Sequence, residues 1–227
     1  MRNEKLGVRS WLLLVGMSLT FIVFAACRND YTPKPQAYLR IDMPEHNYWL
    51  VDTLHTYNAG DTIIFRGGDT AVILGPTSHK MFPFVFEANQ CVELAEKDAP
   101  KGEVWLDIRY PQWDGVVFLT YKRLTGADDL RGQTDTSIRL MEKHYKFASG
   151  IDEQAFESDD HTVHAVTWNI KGPKVASTYQ FYATDSVHHF LRGALYLNRA
   201  PNNDSLAPVL EYMQADIDHL IETLRWR

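Results

Sequence analysis

The chain has 227 residues, a formal net charge of −6 and only two cysteines, with 45% hydrophobic residues. It is long enough to bury a real core. Its acidic balance disfavours nucleic acid and gives no attraction to anionic lipid headgroups.

Residues 1–10 carry Arg2, Lys5 and Arg9 against one acid, Glu4, and residues 11–24 (WLLLVGMSLTFIVF) are unbroken by charge. A basic start followed by a short apolar run reads as an export signal. The run falls short of the ~20 residues that a bilayer-spanning helix needs. It ends in Phe24-Ala25-Ala26-Cys27, which resembles a lipobox, with Phe24 where Leu is usual. There the thiol takes diacylglycerol and a peptidase cuts just before it. A retained N-terminal anchor with an ordinary thiol at Cys27 is the competing account. The expectation is a signal peptide over 1–26 and a lipidated Cys27. Each buried methylene contributes ~0.8 kcal/mol, so one chain binds marginally and several hold firmly. Removing residues 1–26 leaves 201 residues with a net charge of −8. Cys91 is then the remaining thiol, and no internal disulfide can form. It reads either as a small buried hydrophobe in a strand or as an exposed thiol facing an oxidising compartment.

Residues 28–37 (RNDYTPKPQA) contain Pro33 and Pro35 and predict an extended tether, with 27–37 set apart from a single globular domain over 38–227. Residues 38–41 alternate as a short edge strand. Residues 45–80 read as an insertion or divergent segment holding a hairpin, with strands near 62–65 and 70–74 around Arg66-Gly67-Gly68-Asp69. Phe82, Phe84 and Phe86 recur at period two and predict a half-buried strand. Residues 104–110 and 116–122 predict a hairpin through the Pro111-Gln112-Trp113-Asp114-Gly115 turn. A helix follows, capped by Asp128 or Asp129, with Leu130, Ile138, Met141 and Tyr145 on one stripe and Gly150 at its end. Strands are predicted over 162–170, 175–184 and 189–198. The last helix carries Pro208 in its first turn. Its apolar stripe is Leu210, Met213, Ile217, Leu220 and Leu224, opposite Glu211, Gln214, Asp218 and Glu222.

Short connections between strands favour antiparallel pairing. The fold expected is α+β, an antiparallel sheet with packed helices including a C-terminal amphipathic one. The element order resembles the Mog1/PsbP-like layered sandwich.

Catalytic signatures are missing: no H-E-x-x-H, G-x-S-x-G, C-x-x-C or phosphate-cradling loop is present. His161 and His164, three apart, would point to opposite faces of an extended strand, and so would neighbours His188 and His189. No metal site, cofactor, catalytic residue or small-molecule substrate is expected. Asp107 and Arg109 share one strand face and suggest an ion pair. Trp113 sits in a turn, where it either caps the core or anchors a partner or a sugar. Trp226 either closes the last helix onto the sheet or docks elsewhere. Arg192 beside Gly193 in HFLRGALYL reads as a pair with a carboxylate of the last helix or as a partner contact, and the glycine as a bulge or close approach.

Tyr31-Thr32-Pro33-Lys34-Pro35, continuing through Tyr38-Leu39-Arg40-Ile41-Asp42, resembles the opening of mature lipoproteins of the gliding-motility GldD family. Residues 181–226 are similar to that family's C-terminal end, most specifically over 189–196 and 204–209. Gln36-Ala37 stands where the family tends to have Arg-Gly, and residues 48–80 show no likeness. The resemblance implies a lipoprotein of the Bacteroidota envelope, required for gliding and type IX secretion, with no catalytic residues to carry over. A non-enzymatic subunit supporting that machinery is therefore expected, in contact with the membrane through acyl chains (palmitate among them) and with other lipoproteins or translocon subunits. The alternative is a periplasmic lipoprotein that binds glycan or peptidoglycan. Arg28-Asn29-Asp30 lacks the acidic cluster that surface-exposed lipoproteins of this phylum share. The expected location is therefore the outer membrane, facing the periplasm.

Overall fold

The computed structural model describes residues 43–55, 62–64, 70–72, 79–198 and 203–227. In chain order come β1 (Tyr48–His55), β2 (Thr62–Ile64), β3 (Thr70–Val72), β4 (His79–Asn89), β5 (Glu93–Lys97), β6 (Glu103–Tyr110) and β7 (Gly115–Arg123). After α1 (Ala127–Glu142) follow β8 (Gly150–Glu157), β9 (His164–Lys171), β10 (Tyr179–Thr184) and β11 (His189–Leu197). The chain then closes with α2 (Asn203–Thr223) and the short β12 (Arg225–Trp226).

The main sheet has seven strands in the order β5-β6-β7-β11-β10-β9-β8, and a three-stranded sheet runs β1-β4-β12. Their ladders are antiparallel. The expected α+β class is what the chain adopts. Side chains alternate across the main sheet, and one face shares a core with the inner face of β4 and with α2. Phe82, Phe84 and Phe86 are fully buried there, as period two requires. From α2 come Val209, Met213, Ile217, Leu220 and Ile221, and Leu224 follows directly after it. Each fully buried side chain of this kind contributes roughly 1.5–3 kcal/mol, so α2 is held by its stripe. On the opposite face α1 covers only part of the sheet, packing Met141 and Ile138 on Trp168, Ile170 and Tyr182.

Several boundaries differ from expectation. Strand β1 is an eight-residue strand inside the segment read as insertion, and it pairs with β4 across a bulge between Val51 and Thr53. The β2–β3 hairpin is present, and β5 and β8 are further strands. Helix α1 starts after Gly126, whose φ of 153° only glycine adopts readily, and neither aspartate caps it by a side-chain hydrogen bond. It ends at Glu142, and Gly150 instead opens β8, leaving Tyr145 outside the helix and exposed. Pro208 lies in the second turn of α2, because the helix begins at Asn203. Residues 38–41 lie outside the described residues.

Candidate functional site

The most concentrated polar chemistry among the described residues lies where the segment from Met43 enters β1. Asp216 occupies a core position of α2's buried stripe and is 5% exposed. A carboxylate taken out of water needs donors, and four neighbours supply them. The Tyr48 and Tyr110 hydroxyls each donate at 3.1 Å, the Asn89 amide at 2.9 Å, and His46 Nδ1 at 2.7 Å. Because a carboxylate only accepts, His46 carries its proton on Nδ1. Asn89 also donates to the Tyr212 hydroxyl at 2.7 Å. The His46 ring stacks on Tyr212 with centroids 4.1 Å apart. Tyr48 stacks on His219 at 3.6 Å, and His219 Nε2 meets Glu87 at 2.7 Å.

The elements converge for local reasons. Asn89 ends β4 and Tyr110 ends β6, so both turn toward the same stretch of α2. The Asn89 side chain then accepts the Cys91 backbone N–H at 3.1 Å, fixing the turn into β5. Burial, reinforced by the Asp216 charge, pushes the Tyr48 and Tyr110 hydroxyls far above their ordinary value. Burial does the same for Tyr212. Burial also pushes up the Cys91 thiol, whose Sγ lies 3.8 Å from the Tyr212 hydroxyl. A thiol kept protonated is a poor nucleophile, and hydroxyls held protonated serve Asp216 as donors only. The arrangement suits clamping β1, β4, β6 and α2 together.

Cys27 lies outside the described residues. Trp113 is half-buried, edge-on to Tyr212 with centroids 5.1 Å apart, and so borders this network. Trp226 stacks on His189 at 5.1 Å and donates to the Thr162 carbonyl at 3.0 Å, fastening β12 across the sheet end. Arg192 does not meet a carboxylate of α2, because α2 lies on the other face; it donates instead to Gln180 Oε1 at 2.8 Å. Gly193 is required by a close approach: a Cβ there would stand 2.0 Å from the Phe181 ring. Arg109 meets Asp107 at 3.2 Å as expected, and Lys97 joins at 2.8 Å.

Cys91 lies in the turn before β5 and is half-buried, not in a strand. His161 also sits in a turn (φ 55°), so it and His164 both face Glu157. Among the described residues no group of His, Cys, Asp or Glu is placed to hold a metal ion. None of their helices is long and apolar enough to cross a membrane.

The Asp216 network was not singled out by sequence reasoning. Its signal was available: an acid at 216 stands in register with Tyr212, Met213 and Leu220 on an otherwise apolar stripe. His46, Tyr48 and Asn89 gave none, since only the fold brings them to α2.

Comparison with curated proteins and with solved structures gave no match. The sequence pattern of a family described as gliding motility lipoprotein GldD matches residues 76–226. That span contains β4 through β12 and, within it, Asn89, Tyr110, Tyr212 and Asp216; residues 31–42 lie outside it. With two thirds of its length matched, the chain belongs to the gliding motility lipoprotein GldD family.

Proposed function

We propose that the protein is a non-enzymatic, lipid-anchored subunit that supports assembly or stability of the gliding and type IX secretion machinery. The observation that carries this reading is the family match over residues 76–226. The Asp216 network adds support, since its buried carboxylate is engaged by donors from the surrounding elements. In this reading residues 1–26 are removed, and acyl chains on Cys27, palmitate among them, hold the domain at the inner leaflet of the outer membrane. Residues 28–37 give a tether of at most about 30 Å, and the domain faces the periplasm. The element order further supports a Mog1/PsbP-like layered sandwich. Partners are other lipoproteins or translocon subunits. Arg192 is the candidate contact whose guanidinium, among the described residues, is hydrogen-bonded by one neutral side chain.

Deleting the gene tests the role. Blocked gliding or type IX secretion, or a fall in the level of a partner protein, is expected, with restoration by the wild-type chain. Normal secretion with unchanged partner levels in a clean deletion contradicts it.

A further inference from the structure

On its outer face the seven-stranded sheet is covered by α1 only over β9, β10 and part of β11. Over β6 and β7, toward β5, the outward side chains have no described element above them. Trp105 and Phe118 are exposed there, with Phe118 against Tyr196 and Lys97 over its ring. An open groove of about 390 Å³ leads from Phe118 past Lys97 and Arg109 to the turn at Pro111 and Asp114, so it adjoins this surface without reaching Trp105 or Arg192. Register places Trp105, Thr120 and Arg192 in one row across β6, β7 and β11.

Arg192 is the anomaly of this surface. It stands at the margin of the α1-covered patch, partly buried, and burial pulls its pKa below the ordinary arginine value. Lys97 and Arg109 have Asp107, and Lys122 has Asp129. Among the described residues Arg192 has the Gln180 amide as its hydrogen-bond partner and Tyr196 nearby, and no carboxylate acts on it. A guanidinium only donates, so the Gln180 amide turns its oxygen to Arg192. The Nε2 end of that amide, in a side chain 1% exposed, has no partner among the described residues. The Arg192 guanidinium is thus met by a neutral amide alone among the described hydrogen-bond partners, and taking a cation partly out of water without an anion is costly.

We propose that this face, left open by the described elements from Trp105 and Phe118 to Arg192, docks a protein partner that places an Asp or Glu side chain on the Arg192 guanidinium. The guanidinium fork matches a carboxylate bidentately. Arginine and tryptophan are the residues that dominate protein interfaces. Exposed aromatics flanking the charge favour a protein over an anionic lipid headgroup. This rests on the proposed role as an assembly subunit and names the surface and the chemistry of its partner.

The test places a photo-crosslinking phenylalanine analogue at position 118 of the full lipidated chain in its native cells, with a control at position 49 on the small sheet. Illumination should give a discrete protein adduct at 118, absent at 49, whose linked peptide contains an Asp or Glu. Arg192→Gln, which can still reach Gln180, should cut the adduct about tenfold or more. Arg192→Lys, which keeps the charge but not the fork, should cut it partly and serves if the glutamine variant unfolds. Replacing the partner's acid by Arg should restore the adduct to an Arg192→Glu chain. No adduct at 118, an adduct indifferent to Arg192, a linked peptide without an acid, or a phospholipid adduct each overturns the proposal. Blocked secretion in the deletion strain with no adduct at 118 sinks this surface alone, whereas normal secretion sinks the assembly role itself.

Discussion

Removing the Asp216 carboxylate should unfold the domain more easily by an amount set by the donors it leaves behind. Tyr110 and Asn89 are each 2% exposed, so neither can turn to water when Asp216→Ala takes their acceptor away. The Asn89 amide nitrogen keeps the Tyr212 hydroxyl as acceptor and loses Asp216. Tyr48 and His46 are partly exposed and recover hydration. Each buried donor left unsatisfied costs about 1–3 kcal/mol, so two give a loss of roughly 2–6 kcal/mol. Urea unfolding of the mature chain reads this as a lower midpoint at unchanged slope. Tyr110→Phe in the Asp216→Ala background removes one stranded donor and should return about 1–3 kcal/mol. A loss below about 1 kcal/mol, or no return in the double variant, refutes the clamp.

Gly193→Ala would drive its Cβ into the Phe181 ring at 2.0 Å, costing about 1–3 kcal/mol or more. Calorimetry should show Gly193→Ala with Phe181→Leu costing less than the two changes separately. Trp226→Ala loses the stack on His189 and the bond to Thr162. It should lower stability by about 1–2 kcal/mol and raise hydrogen exchange along the β4 edge. Burial pushes His189 and His144 below the ordinary histidine value. The unfolded chain therefore binds more protons below about pH 6.5, and stability from these neutral rings is full above that pH and lost as it falls. Denaturation between about pH 8 and pH 5 should show a shallower slope for His189→Gln than for the wild type.

Strand periodicity made β4, β6, β7 and β9 to β11 legible, because one buried face per strand leaves an alternating trace. The stripe of α2 was legible for the same reason at a period of 3.6. Strand β8 escaped because it is an edge strand with mostly exposed side chains, so no alternation marks it. Strand β1 escaped because Tyr48-Trp49-Leu50-Val51 is a run of large residues without alternation. Of its described side chains, Val51 alone is fully buried. Gly150 reads as a helix stop in the sequence, yet α1 ends at Glu142 and turns lead on to β8, which Gly150 opens. Arg192 and Gly193 were visible as anomalies, but their reasons lie in β10, through Gln180 and Phe181. Cross-strand partners of this kind depend on register, which a single strand does not carry.

The proposed role requires a folded body pinned beside a bilayer by lipid on Cys27. The mass of the N-terminal peptide from the protein purified out of its native membranes tests this most directly. A chain beginning at Cys27 with a diacylglyceryl thioether, lost together with membrane retention in Cys27→Ala, is the predicted result. An unmodified Cys27, or a chain recovered without detergent in the soluble fraction, would contradict it.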